Sequence, residues 1–197
     1  MAPTFVGLTG GISAGKSEAL AAFGRAGAAT LARDEVVHDL LRARQLRERL
    51  IARWGEGIVP DGEIDRARVA EIVFERAEEL DWLEAELHPL VAERFAAWRA
   101  GLPEGVELAV VEVPLLFETG MEAAFDAVVC VVAEDGVRED RARGRELTGL
   151  EGRRGRQLSQ EEKAARATHV IANDGTLAEL EAKIEDLVRE LTGSGDR

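Results

Sequence analysis

The run Gly10-Gly11-Ile12-Ser13-Ala14-Gly15-Lys16-Ser17 constrains this chain more than any other feature, because it fits G-x-x-x-x-G-K-[ST] at every fixed position. An apolar run, Phe5-Val6-Gly7-Leu8, leads into it as a strand, and Glu18 to Arg25 leads out as a helix. That order suits a phosphate-binding loop. Glycines let the backbone wrap around phosphate oxygens, so that successive N–H groups point inward as an anion nest. A helix beginning near Lys16 adds the positive end of its macrodipole. Lys16 then reaches the β- and γ-phosphates, and the Ser17 hydroxyl ligates magnesium. The expected nucleotide contacts are Gly11, Ile12, Ser13, Ala14, Gly15, Lys16, Ser17 and Glu18.

A chain of 197 residues suits one sizeable α/β domain with insertions. With 46% hydrophobic and 32% charged residues it has the profile of a soluble globular protein rather than a disordered one. The formal net charge of −13 argues against a general binder of nucleic acid or anionic membrane, so an anionic nucleotide must be received at a local basic site. The single cysteine, Cys130, forms no internal disulfide or C-x-x-C metal site, and reads as a small buried strand residue. With no signal peptide and no long uncharged apolar segment, the expected location is cytoplasmic.

Strand-like runs fall at Phe5–Leu8, Ala28–Leu31, Glu107–Val113, Ala127–Val132 and His169–Ala172, most of them separated by segments of helical periodicity. This predicts a three-layer α/β fold with a parallel sheet covered on both faces. The core is expected over about 1–33, 106–146 and 164–192. A helical insertion at about 34–105 reads as a substrate-binding subdomain, and a segment at about 147–163 reads as a basic flap or lid. In that flap Gly149, Gly152 and Gly155 alternate with Arg153, Arg154 and Arg156. The last helix, about Thr176 to Leu191, places Leu177, Leu180, Ile184, Leu187 and Leu191 on one face, with a capping box at Thr176 and Glu179. Trp82 and Trp98 read as core, while Trp54, beside the Gly55–Gly62 turn, suits either core or stacking on a base.

The loop alone fits GTPases, motor ATPases and small-molecule kinases. A short chain, an Arg-rich flap and no N-K-x-D run near the fourth strand favour a kinase. Further blocks then appear in order. Asp61-Gly62-Glu63-Ile64-Asp65-Arg66 is followed by Leu87-His88-Pro89-Leu90-Val91, by Glu112-Val113-Pro114-Leu115-Leu116-Phe117-Glu118, by Glu161-Glu162-Lys163 and by Val170-Ile171-Ala172-Asn173-Asp174-Gly175. From Val6 to about Leu180 this set resembles the dephospho-coenzyme A kinase family. That resemblance implies a P-loop kinase transferring the γ-phosphate of ATP, with Mg2+, to the ribose 3′-hydroxyl of dephospho-coenzyme A.

It also implies roles. Asp34 matches the second acid of the family's D-x-D and becomes the candidate acceptor of the 3′-hydroxyl proton; a helix N-cap before Glu35 is the alternative, compatible with that role. Arg153 matches the lid arginine that contacts the transferring phosphate, although Arg154 and Arg156 are not ranked against it. Arg141 and Arg145 match R-x-x-x-R and face either the nucleotide or solvent, while Asn173 belongs to a loop cupping adenine or to an ordinary turn. His88 and Pro89 fall to the acceptor pocket or to a helix kink. Leu116, Phe117 and Glu118 line the acceptor cleft, with Glu118 accepting from a hydroxyl, or else form a core turn. Two positions depart from the family: Ala32 replaces the first acid of D-x-D, and Glu18 stands where a hydroxyl residue is common. Glu112, in a Walker-B-like place, is the candidate to hold a magnesium-bound water instead. A related small-molecule kinase, or a nucleotide binder without turnover, are the competing readings. The sequence does not give the oligomeric state.

Overall fold

Short runs rich in valine, alanine and glycine form a parallel sheet of β1 (Thr4–Gly10), β2 (Ala29–Ala32), β3 (Leu108–Glu112), β4 (Ala127–Val132) and β5 (His169–Ala172). Their order is β2-β3-β1-β4-β5, and every pairing is parallel. This computed structural model describes residues 2–60, 62–143 and 157–193. The described residues fall into two compact units, one of 2–32, 102–143 and 157–193, the other of 33–60 and 62–101. No described helix is long and apolar enough to cross a membrane.

Alternation along the strands sorts the sheet unit into layers. Val6, Leu8, Val110, Val129 and Val131 share one core with Phe23 of α1 (Lys16–Arg25) and with Leu180 and Ile184 of α8 (Leu177–Leu191). Salt bridging between Arg25 and Glu181 (2.7 Å) joins the two helices at the surface. On the other face a Cβ at Gly7 would stand 2.5 Å from Leu116 and 2.9 Å from Phe125, so a larger residue there would have to displace these side chains. α7 (Gln160–Arg166) also packs there, against β1 and β4. The layered α/β expectation therefore holds.

Two local expectations need adjustment. β1 continues past Leu8 to Gly10, because ladder pairing of Gly10 with Val131 requires only backbone. Leu177 is 49% exposed, since it begins α8 one turn beyond the buried Leu180. The capping box at Thr176 and Glu179 is formed: Thr176 N–H donates to Glu179 (2.7 Å), and Glu179 N–H donates to the Thr176 hydroxyl (3.3 Å).

The second unit comprises α2 (Arg33–Arg42), α3 (Arg44–Trp54), α4 (Arg66–Glu75) and α5 (Ala77–Ala100) around Leu40, Leu46, Leu50, Ile58, Val69 and Leu83. Asp65 caps α4, accepting from Ala67 N–H at 2.9 Å and Arg68 N–H at 3.3 Å. Buried Glu79 of α5 gathers the next contacts. Arg53 donates to both of its oxygens (3.0 and 3.2 Å), and Trp54 Nε1 donates to Oε2 (2.8 Å). These bonds, Arg53 first and then Trp54, hold the Glu79 carboxyl below the usual range. Trp54 meets Trp82 edge-on at 5.3 Å, so both pack on this core. Trp98, expected there too, is instead half-buried beside Phe95 near the end of α5. Pro89 neither ends nor restarts α5, which runs on through it. A proline forgoes a single backbone donor, and more than two turns of helix on each side carry the element.

Candidate active site

The loop from Gly11 to Gly15 is shaped by residues that leave the right-handed region. Ser13 has φ 60° and Gly15 has φ 94°. Gly15 is required twice over, for its φ and because a Cβ would collide with the Asn173 amide. Ala14 C=O accepts from Asn173 Nδ2 (2.9 Å) and from Arg141 Nη1 (3.3 Å). In a planar trans peptide the Gly15 N–H must point away from that carbonyl, the orientation an anion nest needs. Lys16 spans the loop, its ammonium donating to Gly11 C=O (2.9 Å) and Gly10 C=O (3.4 Å). The structure thus brings together Gly11 to Lys16, Arg141 of α6 (Asp135–Arg143) and Asn173 after β5. Ser17 and Glu18 lie exposed in the first turn of α1.

Glu112 ends β3, directly beside Ala32 in the ladder. Glu112 thus stands on the strand next to Ala32, the position where the resemblance expects an acid.

Beyond Glu112, the Pro114–Glu118 turn is more buried than sequence suggests. Leu116 is fully enclosed and Phe117 nearly so, with the Arg166 guanidinium 4.5 Å from the Phe117 ring. Glu118 Oε1 accepts from Leu158 N–H (2.9 Å) and pairs with Lys163 Nζ (3.0 Å), an ammonium with no exposed surface. Lys163 also donates to Pro114 C=O at 2.6 Å, and the buried Thr9 hydroxyl donates to the same carbonyl at 3.3 Å. Removing one partner of such a buried pair typically costs about 3–5 kcal/mol.

Gln160 is a contact the sequence did not disclose. Its side-chain amide accepts from Ala133 N–H (2.9 Å) and donates to Ala133 C=O (3.1 Å), continuing the ladder beyond β4. The same oxygen lies 2.8 Å from the Cβ position of Gly11, so Gln160 backs the phosphate loop. The signal was present: Ser159-Gln160-Glu161-Glu162 spells a capping box, which is formed at the start of α7. Residues 160–163, read with the flap, are thus helical, and Lys163 is buried. Arg145, Arg153, Arg154 and Arg156 lie outside the described residues. Cys130 fits its expected place in β4, where burial pushes its thiol up to about 11.

In the helical unit, Asp34 is exposed within the first turn of α2, which begins at Arg33. Asp34 is consequently not the N-cap of a helix starting at Glu35. Burial lowers the neighbouring Arg33 guanidinium, against the attraction of Asp34 and Glu84. His88 and Pro89 are exposed on α5.

A family model described as dephospho-CoA kinase matches residues 4–179. The dephospho-CoA kinase of Chlamydia pneumoniae is 36% identical over 195 residues, covering 96% of each chain. Among solved structures, the Thermus thermophilus protein TT1252 superposes with a TM-score of 0.81 at 34% identity, covering 97% of this chain and 99% of that one. The dephospho-CoA kinase of Campylobacter jejuni shares the fold, with a TM-score of 0.69 at 24% identity over 98% of each chain.

Proposed function

This chain belongs to the dephospho-CoA kinase family, and on that premise we propose that it transfers the γ-phosphoryl group of ATP to the ribose 3′-hydroxyl of dephospho-CoA, the final step of coenzyme A biosynthesis. The observation that carries the reading is the family match over residues 4–179, which includes both the formed phosphate loop and the Pro114–Glu118 turn.

Phosphoryl transfer asks a protein chiefly for positioning and charge neutralisation. Lys16 and the loop amides from Gly11 to Ser17 hold the phosphates, with Glu18, Arg141 and Asn173 around the nucleotide. Asp34 orients the 3′-hydroxyl and accepts its proton. Carboxylates are weak bases at neutral pH, so orientation carries more of the rate than proton removal. The helical segment at about 34–105 supplies the acceptor subdomain with His88 and Pro89. Leu116 and Phe117 shape the acceptor turn from beneath, and Glu118 meets a substrate hydroxyl. Arg153, in the 147–163 lid, is assigned to the transferring phosphate by its match to the family motif.

Magnesium fits the donor set. The Ser17 hydroxyl and the Glu112 carboxylate are hard oxygen ligands, and the described residues gather no cluster of three or more His, Cys, Asp or Glu. Ser17 and, through water, Glu112 would hold such an ion beside the phosphates of ATP. When bound it would supply neutralisation of the phosphate charge. We place the reaction in the cytoplasm with small-molecule partners only, in keeping with one cysteine and a net charge of −13.

The test is product formation by purified protein given ATP and Mg2+, with and without dephospho-CoA. Acceptor-dependent 3′-phosphorylation is expected. ATP binding with transfer only to some other small molecule would replace the substrate, and binding with no transfer at all would leave a nucleotide binder that Ala32 has disabled.

A further inference from the structure

Glu118 has one oxygen fully committed and one idle. Oε1 takes Leu158 N–H and the Lys163 ammonium, while Oε2 is buried and has no hydrogen-bond partner among the described residues. A buried carboxylate oxygen without a donor is costly unless a donor arrives later. Lys163 itself is wholly enclosed and spends its other contact on Pro114 C=O, which also receives the Thr9 hydroxyl. One turn on, Arg166 of the same helix pairs with Glu122 (2.6 Å) and covers Phe117, so α7 presents two cations to the turn that carries Glu118.

We propose that Lys163 is a positioning residue for acceptor recognition: it neutralises Glu118 and fixes its carboxylate so that Oε2 is held ready for a hydroxyl of dephospho-CoA. This rests on the reading of Glu118 as an acceptor contact. The reason lies in the energetics of buried pairs. Such a pair adds little net stability over apolar packing, because desolvation offsets the Coulomb attraction. A pre-neutralised, immobile carboxylate in contrast accepts a hydrogen bond without reorganising when substrate arrives. Pairing on Oε1 alone is the arrangement that leaves the second oxygen available. Lys163 touches no substrate in this scheme and acts only through Glu118.

The experiment is a double-mutant cycle of Glu118→Gln, Lys163→Met and the two combined, with KM measured separately for each substrate and melting followed for each protein. Each single variant is expected to raise KM for dephospho-CoA by about tenfold or more, the size of a lost charge-assisted hydrogen bond, with KM for ATP unchanged. The double variant is expected to match Glu118→Gln, because Lys163 has no route to the acceptor except that carboxylate. An unaltered acceptor KM in Glu118→Gln defeats the contact itself. A raised value there beside a parental one in Lys163→Met defeats only the role of Lys163, as does a double variant worse than Glu118→Gln. If Lys163→Met does not fold, the double variant, which buries no charge at the pair, still makes that last comparison. A lowered melting temperature with parental KM values reduces the pair to a structural one.

Discussion

The sheet unit and the helical unit hold their candidate residues in different ways. In the sheet unit, position is set by backbone: strand register puts Gly10 opposite Val131 and Glu112 beside Ala32, and the Ala14 carbonyl is pinned by two side chains. In the helical unit, Asp34, His88 and Pro89 stand exposed on helix surfaces, and the strongest fixed point is the buried Glu79 with Arg53 and Trp54. On the proposed reading, nucleotide binding therefore depends on local chain geometry that at Gly15 leaves no room for a side chain. Acceptor chemistry, on the same reading, depends on side chains whose helices are held by contacts elsewhere.

That contrast breaks most sharply at Gly15. Gly15→Ala forces a Cβ into a left-handed residue and against Asn173, displacing the Ala14 carbonyl and the loop amides. We expect kcat/KM for ATP to fall by at least about 10²-fold, as misplacement on the ångström scale does, and calorimetry to find ATP binding lost as well. Retained ATP affinity would mean that the loop is less constrained than its geometry implies. Asp34→Asn is the matching test in the helical unit. Turnover is expected to drop by about 10²–10⁴-fold, the range for general-base groups, while ATP affinity stays close to that of the parent. Equal loss of both would make Asp34 structural. The smallest effect on catalysis belongs to Glu79→Gln, which should lower the melting temperature and leave both KM values unchanged at 25 °C. The pH dependence sharpens this case. A carboxyl held low in the folded state contributes its full stability above the ordinary carboxylate range and loses it as pH falls through its folded value. The parent should therefore lose stability on acidification more steeply than Glu79→Gln, as read by melting between neutral pH and acid. Parallel acid limbs would remove Glu79 from the account.

Much of the site was legible because its spelling follows local rules. The glycines of the loop, Lys16 and the capping box at Thr176 are short-range patterns whose physics involves a few neighbouring residues. Gln160 and Lys163 were not legible as site-supporting residues. Their partners, Ala133 and Gly11 for one, Pro114 and Glu118 for the other, are distant in sequence, and a polar run beside glycine and arginine reads as surface. Leu116 and Phe117 were open between two readings: an apolar pair beside an acid suits either a cleft or a core, and only the space over Gly7 decides for burial. Trp54 was open for the same reason, until Glu79 and Trp82 were found around it.

The sequence by itself determined the parallel α/β architecture, the phosphate loop and the family, because strand and helix periods and an eight-residue motif are written in consecutive residues. Only the tertiary structure decided which charges are buried, which oxygen of Glu118 is occupied, and that the acid missing at Ala32 has a neighbour at Glu112. Those facts depend on residues that meet across the sheet, and the cost of burying a polar group is settled only where its partner arrives.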